Sequence, residues 1–117
     1  MPHTRLIQVL QSLEFLGSVM ERRMFGGYGL YFDGCFFGLI HGGGDFFLKA
    51  DAANLGDFEK FESHAFNPDP NKKAMGYWSV SDELLADQKA FESLVQEAVR
   101  LARVAKKAKE ALIHSGE

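Results

Sequence analysis

Phenylalanine and glycine are concentrated in the middle of this chain, and their distribution limits what that part can fold into. Nine of the 11 Phe residues lie between Phe25 and Phe66, and ten of the 12 Gly residues lie between Gly26 and Gly76. Glycine is a poor helix former, whereas aromatic residues are enriched in strands. The middle of the chain is therefore predicted to form a β-sheet, and the two ends are predicted to be helical.

The dipeptide Asp33-Gly34 predicts the turn of a β-hairpin between residues 24–33 and residues 35–41, because Asp-Gly favours two-residue hairpin loops. Counting outward from this turn predicts three pairs on a continuously apolar face: Phe32 with Cys35, Leu30 with Phe37, and Tyr28 with Leu39. The same count predicts three pairs on the other face: Tyr31 with Phe36, Gly29 with Gly38, and Gly27 with Ile40. A next loop at residues 41–44 would place Phe47 opposite Gly38 and Lys49 opposite Phe36.

The second face is predicted to be a strip with a glycine floor and an apolar border, more apolar than a sheet with one solvated face needs. Its members are Phe25, Gly27, Gly29, Tyr31, Phe36, Gly38, Ile40 and Phe47. Three interpretations are open at this point. Phe47 covers the glycines and a helix or loop covers the rest. Alternatively, the strip is a partner surface, most simply a homodimer interface, or it is a groove for a small ligand.

Helices are predicted on both sides of this sheet. Helical spacing of leucines predicts a helix over residues 4–16 that Gly17 ends, and Asp51 is a candidate N-cap for a short helix through Phe61. Residues 67–73 read as a loop, with short strands predicted near residues 64–66 and 75–80. Asp87 is predicted to cap a long helix that runs to about Ile113. The fold class is therefore α+β, a two-layer fold with an antiparallel sheet and the order helix, three strands, helix, two strands, helix.

Size and composition predict one ordinary globular domain spanning residues 1–117, with 46% hydrophobic and 25% charged residues. The net charge of −3 argues against a uniformly basic nucleic-acid binder. A single cysteine rules out an internal disulfide and a four-cysteine zinc site. Because neither a signal-peptide core nor a membrane-spanning run is present, we expect a cytoplasmic protein with no membrane association.

The sequence offers no catalytic constellation, so we expect no enzymatic activity, no cofactor and no metal. Cys35 and His41 lie six residues apart on one predicted strand, or about 20 Å, which is too far for a nucleophile pair. The four histidines lack the spacing of metal ligands. The glycines precede a hairpin rather than a helix N-terminus, so phosphate binding is not predicted.

Basic residues are clustered only in the last predicted helix, where Arg100, Arg103, Lys106 and Lys107 lie opposite the apolar stripe. These four residues are candidates for weak phosphate contacts. The simpler interpretation is a solvated helix face that complements the helix dipole. Because the cluster has no neighbouring Asn or Gln and no helix-turn-helix before it, we expect no sequence-specific nucleic-acid binding by the isolated protein.

A further set of motifs runs through residues 22–98: Met24-Phe25-Gly26-Gly27-Tyr28-Gly29-Leu30-Tyr31, Asp33-Gly34, Phe37-Gly38-Leu39-Ile40, Phe47-Leu48-Lys49-Ala50-Asp51, Lys72-Lys73, Met75, Tyr77-Trp78 and Asp82-Glu83-Leu84-Leu85. These stretches closely resemble the N-terminal domain of the TfoX/Sxy family. The resemblance implies a small α+β domain of bacterial regulators of natural competence, which act with the cyclic-AMP receptor protein at promoters and have no enzymatic activity attributed to this domain.

The full-length competence regulators carry a second, C-terminal helical domain, and this chain ends at Glu117. We therefore expect a standalone N-terminal-type domain that acts as a non-enzymatic regulatory and interaction module. Its expected partner is a protein, in the transcription machinery, and a homodimer is expected. The alternative is a small-ligand-binding or enzymatic protein that uses the glycine-floored strip.

Overall fold

A computed structural model shows an antiparallel sheet with helices packed on one face, which confirms the predicted two-layer α+β fold. The sheet is a meander in which five strands follow one another in chain order: β1 (Met20–Met24), β2 (Gly27–Phe32), β3 (Cys35–Ile40), β4 (Phe46–Lys49) and β5 (Tyr77–Ser79). The helices are α1 (Pro2–Ser12), a 3₁₀ helix (Glu14–Leu16), α2 (Leu55–Glu59), α3 (Asp82–Ala86) and α4 (Gln88–Ser115). The structure describes residues 2–24, 26–41, 44–51, 55–61, 63–66 and 76–115.

The β2–β3 hairpin turns at Asp33-Gly34, as predicted. Both residues have positive φ, 52° for Asp33 and 75° for Gly34, which is the geometry of a two-residue type I′ turn. The predicted pairs nearest the turn are also confirmed, Phe32 with Cys35 and Tyr31 with Phe36. The local turn chemistry therefore fixes the start of the register.

Beyond Tyr31 the predicted register is wrong, because a β-bulge interrupts the pairing. Phe37 is the extra residue of β3, so that the observed pairs are Leu30 with Gly38, Gly29 with Leu39, and Tyr28 with Ile40. A bulge shifts the alternation of side chains on its strand by one residue. Leu39 therefore lies on the face predicted for Ile40, whereas Gly38 and Ile40 face the helices. Ile40 is 1% exposed in the main core.

The β3–β4 register also differs from the prediction by one residue. Gly38 pairs with Leu48 instead of Phe47, and Phe47 pairs with Leu39. The cause is a longer connection: Ile40 pairs with Phe46, and the N–H of His41 donates to the carbonyl of Asp45 at 2.9 Å. The predicted pair of Lys49 with Phe36 is therefore wrong as well, because the β3–β4 ladder pairs only residues 38–40 with residues 46–48.

The sequence prediction missed β1 as a separate strand. Residues 24–33 were expected to form one strand, but Met24 pairs with Gly27 around a turn at Gly26, which has a φ of 74°. The charged residues of Met20–Met24 then form an antiparallel edge strand beside β2. At the other end, Ala65 makes an isolated bridge to Trp78 where a short strand was expected.

The helix boundaries follow the predicted caps. Gly17, with a φ of 106°, ends the first helical region, and its N–H donates to the carbonyl of Glu14. Asp87 caps α4 by accepting the N–H of Ala90 at 3.2 Å. The predicted cap at Asp51 concerns residues 52–54, which lie outside the described residues. Ser81, which was not predicted as a cap, accepts the N–H of Leu84 at the start of α3.

The main core lies between the sheet and helices α1 and α4. Val9, Leu30, Phe37, Phe46 and Val95 are among its fully buried side chains. Burial of this apolar area supplies most of the driving force for folding. Helix α4 packs across β3 and β4, so the opposite face of these two strands is left for a second, smaller cluster.

We predict that Gly27→Ala destabilises the protein by about 2 kcal/mol or more, because an added Cβ would lie 1.9 Å from the carbonyl oxygen of Ile40 and force β2 and β3 apart. Gly56→Ala is the matched control: Gly56 lies in α2 with no atom within 4 Å of an added Cβ, so a gain of about 0.5–1 kcal/mol is expected from helix propensity. Urea unfolding measures both free energies. Equal free energies of unfolding for the two variants would contradict the close approach at Gly27.

Candidate functional site

The sheet face opposite the main core carries the predicted partner strip. Cross-strand pairing sets which residues share this face: Met20 lies beside Tyr31, and Arg22 lies beside Gly29. Further along the sheet, Leu39 lies beside Phe47, and Lys49 lies beside Tyr77. We call this side of the sheet the outer face.

A second hydrophobic cluster forms part of the outer face. Its buried members are Leu39, Phe47, Phe66 and Tyr77, and Phe36 packs against them half-buried. The rings continue in an unbroken series, since centroids are 5.2 Å apart for Tyr31 and Phe36 and 5.5 Å apart for Phe36 and Tyr77. Phe47 and Phe66 are 4.9 Å apart. These separations are typical of stabilising aromatic pairs, so the rings hold one another in place.

On the outer face, the space above Gly29 is filled by side chains rather than open. A Cβ added to Gly29 would lie 2.6 Å from Met24 Cε and 3.0 Å from a ring carbon of Phe36. Met24 and Phe36 therefore cover Gly29, a role that the sequence interpretation had given to Phe47. Gly38 faces the main core, where Leu48 Cδ2 would be 3.4 Å from its Cβ.

The eight strip residues are thus divided by the structure. Tyr31 and Phe36 remain half-exposed on the outer face, whereas Phe47 is buried there at 4% exposure. Gly38 and Ile40 belong to the opposite face. Phe25 lies outside the described residues, and Gly27 is buried beside the backbone of Ile40.

The outer face also carries residues that sequence reasoning did not assign to it. Met20 is 68% exposed, and Arg22 places its guanidinium carbon 5.8 Å from the centroid of the Tyr31 ring. We define the outer patch as Met20, Arg22, Tyr31 and Phe36. The missed signal was β1 itself, because recognition of that strand would have placed Met20 and Arg22 beside the aromatic residues.

A second cation lies at the far side of the aromatic series. Lys49 Nζ is 5.2 Å from the centroid of the Tyr77 ring. Such contacts are worth roughly 0.5–1 kcal/mol at exposed sites. The aromatic series is therefore flanked by Arg22 at one end and Lys49 at the other, and both cations are oriented by the rings beneath them.

The pair His64 and Ser79 fixes the segment 63–66 against β5. The backbone N–H of His64 donates to Ser79 Oγ at 2.9 Å, and His64 Nδ1 lies 3.2 Å from the same oxygen. The backbone continues the pairing, with the N–H of Ser79 donating to His64 O and the N–H of Phe66 donating to Tyr77 O. This contact joins residues 15 positions apart and has no local sequence signal.

The predicted phosphate-contacting residues lie exposed on α4, and two of them have acidic partners. Arg100 forms an ion pair with Glu97 one turn earlier, and this hydrogen bond lowers the pKa of Glu97. Arg103 reaches Asp33 in the β2–β3 turn at 3.2 Å and lies over the ring of Phe32. Lys106 and Lys107 are exposed, and Lys106 Nζ lies near Gly34.

The residues considered for chemistry are placed as follows. Cys35 is buried in the main core with its Sγ 3.7 Å from Asp33 O, at the opposite end of β3 from His41. In the part of the chain that the structure describes, no three His, Cys, Asp or Glu side chains come close enough to share a metal ion. Among the described helices, none combines the length and apolarity needed to cross a membrane.

The fold and the site define an α+β domain with an aromatic sheet face flanked by cations. The family model described as TfoX N-terminal domain matches residues 11–102. The chain therefore belongs to the TfoX N-terminal domain family, as the motif resemblance implied. The comparison with curated proteins finds no match.

We predict that Tyr77 titrates at a higher pH in the folded protein than it does in the unfolded chain. Burial, with a contribution from nearby Tyr31, raises the pKa of Tyr77 to about 12. Because the folded pKa exceeds the unfolded value of 10.0, this group's contribution to stability is fully present below pH 10 and is lost as pH rises toward 12. Ultraviolet absorbance titration measures the step, and urea unfolding measures the loss.

Tyr77→Phe is expected to remove both the high-pH absorbance step and the associated loss of stability. Tyr31→Phe is the control, and it is expected to keep the step at a slightly lower pH, since Tyr31 contributes to the shift. A folded wild-type protein in which every tyrosine titrates near pH 10 would contradict the burial of Tyr77.

Proposed function

We propose that this protein is a non-enzymatic regulatory module that acts through protein–protein contacts, in transcription regulation of the kind found among bacterial competence regulators. The observation that carries the proposal is the outer patch. Met20 is mostly exposed there, Tyr31 and Phe36 are half-exposed, and Arg22 is held over Tyr31. Aromatic residues, Met and Arg are the types enriched at the centres of protein interfaces.

The packing of the patch also favours recognition of a partner. Phe36 rests between the rings of Tyr31 and Tyr77, and its edge lies against Gly29. Side chains that are already fixed lose little conformational entropy on binding, so more of their contact energy contributes to affinity. A rigid aromatic group beside an oriented guanidinium is a typical composition for an interaction hot spot.

The geometry around the reactive side chains supports a non-enzymatic role. Ser79 Oγ approaches His64 Nδ1, but the same oxygen accepts the backbone N–H of His64, and Ser79 is 8% exposed. This arrangement serves to attach the segment 63–66 to β5. Above Gly29, Met24 occupies the space that a ligand groove would need.

The proposed partners are a second copy of the chain and a protein of the transcription machinery, in the cytoplasm of a bacterium. The outer patch carries the contact with the transcription protein. Any effect at a promoter then passes through that protein rather than through base recognition by this domain. The homodimer and the competence role are part of the proposal.

Photo-crosslinking tests the proposed partner surface. Replacing Tyr31 with p-benzoylphenylalanine in the native host is expected to give an adduct with a transcription protein, identified by mass spectrometry. The same replacement at Lys89, exposed on α4, is the control and is expected to give none of this adduct. An added Phe36→Ala change is expected to weaken binding by about 30-fold, the effect of losing a hot-spot side chain.

Three outcomes contradict the proposal. One is equal adducts from positions 31 and 89, and another is an adduct from position 31 that Phe36→Ala leaves unchanged. The third is the absence of any transcription protein among the adducts. Circular dichroism of each variant verifies that the fold is kept.

A DNA titration tests the indirect promoter role. Fluorescence anisotropy at about 150 mM salt is expected to show weak binding that does not distinguish specific from scrambled duplexes. Arg100 and Arg103 already have carboxylate partners, and three or four phosphate contacts give a log–log salt slope of only about −3. Submicromolar, sequence-selective binding that disappears when Arg100, Arg103, Lys106 and Lys107 are changed to Ala would overturn this expectation.

A further inference from the structure

The strand β1 forms the open edge of the sheet. The opposite edge is occupied, because residues 64–66 pair with β5 through the Ala65–Trp78 bridge and the flanking backbone hydrogen bonds. β1 has β2 on one side, and no strand lies on its other side in the described part of the chain. Its residues 20–23 are all exposed. An open edge presents backbone donors and acceptors to another strand.

The free backbone groups of this edge belong to Glu21 and Arg23. Met24 and Gly27 flank a two-residue loop, a position in which partners exchange backbone hydrogen bonds. Bonding then alternates along an antiparallel pair, so Arg22 also bonds toward β2. The N–H and C=O of Glu21 and Arg23 are left directed away from the sheet.

We propose that a second copy of this chain pairs with β1, strand against strand, about a twofold axis that passes beside Arg22. This deepens the homodimer of the proposed function and rests on it for the choice of partner. A twofold axis perpendicular to the sheet makes the two β1 strands antiparallel and keeps each face continuous. In the register with full overlap, Glu21 of each copy lies opposite Arg23 of the other.

The side chains of β1 match their own copy in this register. Glu21 and Arg23 share one face, so the dimer contains two cross-strand ion pairs of opposite charge. On the outer face Met20 lies opposite the second copy's Met24, which gives two apolar contacts. Registers shifted by two residues instead oppose Glu21 with Glu21 or Arg23 with Arg23, so charge selects the full overlap.

The one unfavourable pair is Arg22 with its own copy on the axis. Each Arg22 guanidinium lies over the Tyr31 ring of its own chain, 5.8 Å from the centroid, which draws the charge along the sheet and away from the axis. The charges of an edge strand also discourage pairing with unrelated strands. In β1 the acidic Glu21 precedes the central Arg22 and the basic Arg23 follows it. This order of charges permits the strand to pair with the same strand of a second copy.

The area of one five-residue strand pair is below that of a standard interface, so a weak and reversible dimer is expected. We expect half-dissociation on the order of 10–100 µM. Sedimentation velocity of the full chain across this range measures it. Glu21→Arg places Arg opposite Arg and is expected to weaken dimerisation at least ~10-fold.

The charge swap provides the rescue. The double variant Glu21→Arg with Arg23→Glu restores opposite charges across the pair and is expected to dimerise as the wild type does. Glu110→Arg, an equal charge change at an exposed position of α4, is the control and is expected to leave dimerisation unchanged. Neither Glu21 nor Arg23 faces a charged residue on β2, since their partners there are Leu30 and Tyr28.

Cysteine cross-linking tests the register independently. Arg22→Cys places two thiols opposite each other at a Cα separation of about 4.5 Å, which suits a disulfide. Glu21→Cys is diagonal to its own copy at about 7–8 Å, so its oxidation to a linked dimer is expected to be ~10-fold slower. Native Cys35 is buried and common to both variants.

The outcomes separate this inference from the proposed function. Loss of the dimer in Glu21→Arg, rescue by the swap and preferential cross-linking at position 22 support β1 pairing. A dimer that Glu21→Arg leaves unchanged, or equal cross-linking at positions 21 and 22, overturns β1 pairing and leaves the homodimer of the proposed function standing. A monomer throughout overturns both the pairing and the homodimer, while the Tyr31 photo-crosslink still tests the transcription partner.

Discussion

The bulge at Phe37 is the feature on which both faces of the sheet depend. By adding one residue to β3, it directs Ile40 to the core under α4 and turns Leu39 toward Phe47 on the outer face. Without it, Leu39 would fall on the helix side and the outer cluster would lose one of its buried members. The aromatic series from Tyr31 to Tyr77 is therefore supported from below by a residue whose orientation the bulge determines.

The features that sequence reasoning predicted are those set by short-range chemistry. The Asp33-Gly34 turn, the end of the first helical region at Gly17 and the cap at Asp87 each depend on residues within four positions. Two of the missed features depend on partners distant in the chain: Arg103 and Asp33 are 70 positions apart, and His64 and Ser79 are 15 positions apart. The bulge at Phe37 was also missed, although it lies between the pairs Tyr31–Phe36 and Leu30–Gly38 of one short hairpin. Gly38 was the available hint, because glycine inside a strand often marks a bulge.

The sequence correctly predicted an apolar surface on the second face of the sheet, but it assigned some of the wrong residues to that surface. Aromatic residues on two faces indicated a second apolar surface, and that surface exists around Phe47. Its border was misassigned because one inserted residue exchanges the faces of every position beyond it. Tyr31 and Phe36, which precede the bulge counting from the turn, were placed correctly, whereas Gly38 and Ile40, which follow it, were not.

The open edge and the outer patch share residues, and this links the two proposals. Met20 and Arg22 belong to the patch, and they are also the β1 residues nearest a paired copy on that face. Pairing at β1 would join two outer patches across the twofold axis into one apolar surface with arginines at its centre. A partner that contacts both halves would bind the dimer more tightly than the monomer, and by linkage it would stabilise the weak dimer by the same factor. A small edge interface is then sufficient, since the partner supplies the remaining free energy of assembly.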